Sequence, residues 1–272
     1  MILGGIVIKT TSPIKFVTPS DLPRYANIGI GGVAGAGKTH MLGTVGAGTK
    51  VLVFDLEDGT TTFRSRSYID DPNATDQVHV VQFGDLTKTT ELVGRLESAF
   101  DHLIRTKNSD GYVLVALDSL TELMARFLSQ DQAADKRKAY GNFQEAVYAL
   151  IGKARQIPAH TVFTARLRLV HEEVLNREIV RFDLNPAAWS SVSGLFDNIG
   201  FMDVRTQGVT SKRTLTFGHS VRYQGKDRMG IGDLVNPTFV EIMARMSGDS
   251  AQEKPKAAPK TGTRPAARVA AK

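Results

Sequence analysis

Eight consecutive residues, Gly32-Val33-Ala34-Gly35-Ala36-Gly37-Lys38-Thr39, match G-x-x-x-x-G-K-[ST] at every fixed position. Glycines at that spacing let backbone N–H groups curl round a phosphate, and a lysine there reaches the outer phosphates of a nucleotide. Gly32, Gly35, Ala36, Gly37, Lys38, Thr39 and His40 are therefore the candidate nucleotide-binding residues, with the Thr39 hydroxyl a candidate Mg²⁺ ligand. The motif needs a carboxylate near the metal, and Val113-Leu114-Val115-Ala116-Leu117-Asp118 is an apolar run ending in one. Asp118 is the second candidate metal residue. Its structural alternative is to cap a helix starting near Leu120, a role that Ser119 could take instead.

These residues need a strand before the glycine loop and a helix after it. Strand-like runs at Ile28–Gly31, Val51–Asp55, Val78–Phe83, Tyr112–Asp118 and Thr161–Thr164 alternate with helical patterns. Leu92, Val93, Leu96, Phe100, Leu103 and Ile104 recur at steps of three and four between the third and fourth runs, and Phe143, Val147, Leu150, Ile151 and Ala154 do so before the fifth. Repeated strand–helix–strand units predict an α/β fold with a doubly wound, mostly parallel sheet. Asn198–Arg205, Lys212–Phe217 and Val221–Tyr223 read as late β-hairpins, and a helix near Pro237–Met246 closes the domain. One domain is expected over 25–247, with an N-terminal extension at 1–24 and a tail at 248–272.

The source of an activated water narrows the family. Ring-forming AAA+ ATPases place a glutamate directly after the strand-end aspartate, where this sequence has Ser119. The second strand instead ends Phe54-Asp55-Leu56-Glu57-Asp58-Gly59, which resembles the RecA-like P-loop ATPases. That resemblance implies Glu57 as the catalytic base, with Glu122 as its rival. Lys226-Asp227-Arg228 is similar to the K-x-R of ATPases of the DnaB and KaiC kind, which implies Lys226 and Arg228 reaching a neighbouring subunit's nucleotide and hence a homo-oligomer. Lys212 and Arg213 are the alternative pair. Together with Thr164-Ala165-Arg166, these segments resemble the phage AAA-type ATPases with a RecA-like core, including single-strand annealing recombinases of the Sak kind, over roughly Ile28–Met246. The resemblance implies ATP, Mg²⁺, single-stranded DNA and single-strand-binding protein as ligands and partners. A helicase or motor subunit, and a nucleotide-gated interaction switch without nucleic acid, are the other functions compatible with these residues.

Composition bounds the rest. The 272 residues include 42% hydrophobic side chains and no cysteine, so a disordered chain, a disulfide framework and a thiolate metal site are excluded. The net charge of +6 is uneven: from Ala251 onward six basic residues face one acid, leaving about +1 for the remainder. That stretch, with three prolines and no aromatic residue, reads as a disordered basic tail. No apolar run approaches a membrane-spanning length and the opening residues lack a secretory pattern, so no membrane association and a cytoplasmic location (a host's, if phage-encoded) are expected. The six histidines lack paired ligand spacing, no G-x-S-x-G occurs, and Trp189 reads as core. Nucleic-acid contacts are expected from Ser129–Lys138 and Arg166–Arg181, where arginine, lysine and Tyr140 mix with acids.

Overall fold

The computed structural model describes residues 25–83, 88–131, 136–173, 176–207 and 210–248. The expected extension at 1–24 and the basic tail from 249 onward lie outside them. The first described elements are β1 (Asn27–Gly32), α1 (Lys38–Leu42) and β2 (Lys50–Asp55), then a 3-10 turn and the short α2 (Arg66–Ile69). Next come β3 (Gln77–Gln82), α3 (Thr89–Arg105), β4 (Tyr112–Asp118), α4 (Leu120–Asp131), α5 (Lys136–Ala154) and β5 (His160–Ala165). A hairpin of β6 (Leu167–Glu172) and β7 (Arg177–Phe182) precedes α6 (Pro186–Ser193), β8 (Asn198–Gln207), β9 (Thr210–Phe217), β10 (Lys226–Asp227), β11 (Leu234–Val235) and α7 (Phe239–Ser247).

The main sheet runs β11-β9-β8-β1-β5-β4-β2-β3, with β10 on the start of β8. From β3 through β8 every pairing is parallel, while β9, β10 and β11 are antiparallel additions. This is the doubly wound, mostly parallel arrangement that the sequence predicts. Period-two alternation splits the strands between two cores. Leu52, Phe54, Val115 and Leu117 face the layer of α3, α4, α5 and α6, whereas Val51, Val53, Leu114 and Ala116 face the layer of α1 and α7. On β1 the alternation is Ile28 and Ile30 toward α1, and Gly29 and Gly31 toward the other side. A Cβ on Gly31 would lie 2.7 Å from the Phe182 ring, so these glycines let the returning β6–β7 segment pack directly on the strand.

Local structure differs from the expectation at one point and fills in two others. Leu167–Glu172 and Arg177–Phe182 form the regular antiparallel pair β6–β7. Val221–Tyr223 is not a strand; Tyr223 makes an isolated bridge to Val180. The polar segment 129–138 is entered by α4 and left by α5, because Gln, Ala, Lys and Arg favour helix without needing an apolar face; 132–135 lie outside the described residues. Trp189 is core, its ring against Phe182 and its indole N–H donating to Gln224 Oε1 at 2.9 Å.

His160, at the start of β5, makes stability depend on pH. Its Nδ1 accepts the Ala26 N–H at 3.2 Å, and burial pushes its pKa down to about 4 from 6.5. The native state thus holds this ring neutral where the unfolded chain would protonate it. Stability from this site is complete above about pH 6.5 and falls as the pH drops toward 4, by up to about 3 kcal/mol. Denaturant unfolding of wild type and His160→Gln between pH 4 and 7.5 is expected to show a flatter acid limb in the variant; parallel limbs would refute it.

Candidate nucleotide site

The glycine loop leaves β1 at the carboxyl edge of the sheet and enters α1 at Lys38. Gly35 and Gly37 have φ of 75° and 98°, left-handed values that strain any L side chain. The first-turn N–H groups of α1 have no intrahelical acceptor, as a phosphate cradle requires. The Lys38 ammonium folds back to donate to the carbonyls of Gly32 at 2.9 Å and Val33 at 3.2 Å. Burial holds its pKa below the usual lysine range, offset in part by Asp118 and Glu57. A charge this poorly solvated gains from a bound polyphosphate.

Asp118 ends β4, and the strand order places β5 between β4 and β1. The Thr39 hydroxyl donates to Asp118 Oδ2 at 2.6 Å, and the Thr164 hydroxyl of β5 donates to Oδ1. Burial raises the pKa of Asp118 despite these two bonds. A hydroxyl and a carboxylate side by side are the hard oxygen donors that suit Mg²⁺, so Thr39 and Asp118 fit the metal expected of them. Ser119, not Asp118, takes the capping role: its Oγ accepts the Glu122 N–H at 3.3 Å.

The same Ser119 hydroxyl donates to Glu57 Oε1. Glu57 is carried by the turn after β2, which Asp55 organises by accepting from the backbone N–H of Glu57, Gly59 and Thr60 and from the Thr60 hydroxyl. Asp55 lies opposite Asp118 in the β2–β4 register, so this turn is set beside the metal candidates. Glu57 is exposed and close enough to bear electrostatically on both Lys38 and Asp118. Glu122 is engaged elsewhere, 3.5 Å from Arg126 and 3.9 Å from Arg166. The bonds of Thr164 to Asp118 and of Ser119 to Glu57 escape a motif search because they act through strand register, whereas Asp55 acts locally on residues 57–60.

A family described as AAA domain matches residues 24–229. The chain belongs to the AAA-domain family. Within this AAA domain the matched span holds the glycine loop, Asp118, Glu57 and the sheet that gathers them. A KaiC-like protein of Pyrococcus horikoshii OT3, a hyperthermophilic archaeon, is similar in structure at 13% identity and a TM-score of 0.42, over 78% of this chain and 89% of that one. No curated protein matches the sequence. Among the described residues, no helix is long and apolar enough to cross a membrane.

The AAA domain separates the two late cations from its own glycine loop. Lys226 and Arg228 lie where β10 meets the start of β8, at the amino edge of the sheet. The loop follows the other end of β1, a strand length of about 16 Å away. Lys226 does not project as a finger: its ammonium donates to the carbonyls of Ser193, Gly194 and Phe196, closing the C-terminal end of α6. Orphan carbonyls at a helix end attract a cation, which is the reason for this capture. Arg228 remains half-exposed, 3.6 Å from Asp197, and a cavity of about 320 Å³ opens beside it between Tyr25, Arg155 and Asp197.

Proposed function

We propose that this AAA domain binds and hydrolyses ATP with Mg²⁺ and couples turnover to single-stranded DNA in phage recombination, annealing or repair. The observation that carries the hydrolytic half is the constellation of Thr39, Asp118 and Glu57 around the glycine loop. Mg²⁺ held by Thr39 and Asp118 would polarise the transferring phosphoryl group. Glu57, steadied by Ser119, takes a proton from water as the water oxygen attacks the γ-phosphorus and the bond to ADP breaks. Lys38 holds the outer phosphates, and Arg228 serves the nucleotide of the next protomer in a homo-oligomer.

The DNA half is supported by the β6–β7 hairpin, which leaves the sheet at the same carboxyl edge. Arg168 and Arg181 stand directly opposite in its register, and the Arg181 Nε is buried without a hydrogen-bond partner among the described residues. Like charges directly opposite destabilise a hairpin, and a polyanion lying across it would relieve them. Single-strand-binding protein is the partner such a recombinase would displace or recruit. Phosphate release measured with single-stranded DNA, duplex DNA, RNA and no nucleic acid should rise most with the single strand. Replacing Arg168 and Arg181 together with Ala should weaken single-strand binding and shallow its log–log salt slope by about 1.4. Absence of both binding and stimulation at low salt would leave a nucleotide-gated switch as the function; directional unwinding would make it a motor subunit.

A further inference from the structure

Arg213 lies on β9, outside the usual anatomy of a phosphate loop, yet its side chain is against that loop. β9 runs antiparallel to β8, so its first residues lie at the carboxyl edge where β1 opens into Gly32–Thr39. Alternation then separates the two cations of the hairpin. Arg213 shares the face of Leu215 and Phe217, which pack into the core with Met41 and Leu42 of α1, while Lys212 turns the other way. A Cβ placed on Gly37 would lie 3.0 Å from Arg213 Nε and 3.3 Å from its Cδ.

The residue is held by its backbone and left free at its tip. Its N–H donates to Asn236 Oδ1 at 3.1 Å, and its carbonyl accepts the Asn236 N–H at 2.7 Å. Asn236 itself has φ of 48°, and the β8 register pairs Arg213 with Val204. Among the described residues the guanidinium has neither an ion pair nor a hydrogen bond, whereas Arg126, Arg177 and Arg245 all have one or both. An unpaired arginine fork fixed beside a phosphate cradle has the chemistry to grip phosphate oxygens.

We propose that Arg213 binds the phosphate chain of the nucleotide held by the glycine loop of its own protomer, from the β8–β9 side, opposite Asp118 and Glu57. The inference rests on the ATP-binding function above and adds a phosphate contact made in cis. It assigns Arg213 alone, not a Lys212–Arg213 pair, and it gives Arg213 a different role from Arg228.

Equilibrium binding of a fluorescent ATP analogue to the full chain tests it, with ADP and inorganic tripolyphosphate as competitors. Arg213→Ala is expected to weaken ATP, ADP and tripolyphosphate by about 10–100-fold, with Arg213→Lys recovering part of the loss and Lys212→Ala binding as wild type. The exposed position leaves the thermal melt unchanged. Unaltered affinity in Arg213→Ala, beside a wild type that binds and a Lys38→Ala variant that does not, would overturn the inference and leave the ATP-binding function standing. Weaker ATP with unchanged tripolyphosphate would also overturn it, by moving the contact to the sugar or base. If wild type binds no nucleotide, both fall. Mixed oligomers of Arg213→Ala and Lys38→Ala subunits, assayed at limiting ATP, should hydrolyse no faster than Arg213→Ala alone; a return toward wild-type affinity would overturn the contact in cis by showing that Arg213 acts across the boundary.

Discussion

Glu57→Gln is expected to bind ATP as wild type does and to release phosphate about 10²–10⁴-fold more slowly. The amide oxygen can still accept the Ser119 hydroxyl, and the bonds from Asp55 that shape the turn are untouched, so the site keeps its form. What is lost is the ability to take a proton from the attacking water. Glu122→Gln provides the contrast. It removes the charge facing Arg126 and Arg166, both of which have other contacts or open solvent, and turnover is expected to change only a few-fold. Single-turnover phosphate release with bound nucleotide measured in parallel separates chemistry from binding. Retained turnover in Glu57→Gln with loss in Glu122→Gln would transfer the base to α4.

Arg228→Ala is expected to slow hydrolysis by about 10³-fold or more while nucleotide affinity changes little, the magnitude being that of a finger supplied to the transferring phosphoryl group. Its distance from the glycine loop of its own chain means that the proposed finger would act on a neighbouring protomer. Asp197 retains the Asn27 N–H at 2.9 Å and Arg155 nearby, so loss of Arg228 leaves no isolated buried charge. Mixing Arg228→Ala subunits with Lys38→Ala subunits is the decisive measurement. Each has what the other lacks, and activity should return to a fraction of the mixed sites; none returning in oligomers shown to be mixed would exclude a finger in trans. Lys226→Ala should behave differently, lowering stability through the end of α6 rather than acting on the phosphoryl group.

The sequence by itself determined what is local. A strand, a glycine loop with two left-handed positions and a helix start follow one another within Asn27–Leu42, so spacing alone carries the candidate residues Gly32–His40. Asp118 was legible for a similar reason, since an apolar parallel strand can end in a carboxylate only at the edge where the sheet meets solvent or ligand. The alternation of strands and helices, and with it the parallel core, followed from alternating periods of two and three to four.

Tertiary structure decided what register and capping distribute. Thr164 meets Asp118, and Ser119 meets Glu57, across 46 and 62 residues, because adjacent strand ends are aligned by the β2–β4–β5 ladders. The β6–β7 hairpin hid its period because Ile179 and Val180 are both buried, one strand being covered on both faces. Lys226 and Arg228 share a motif but not an environment: helix α6 ends within reach of the first and not the second. Arg213 likewise reads as one of an alternative finger pair until the antiparallel return of β9 sets it on Gly37. A side chain's type is written in the chain, but the field it meets is set by whichever distant element packs beside it, and that is fixed only when the sheet closes.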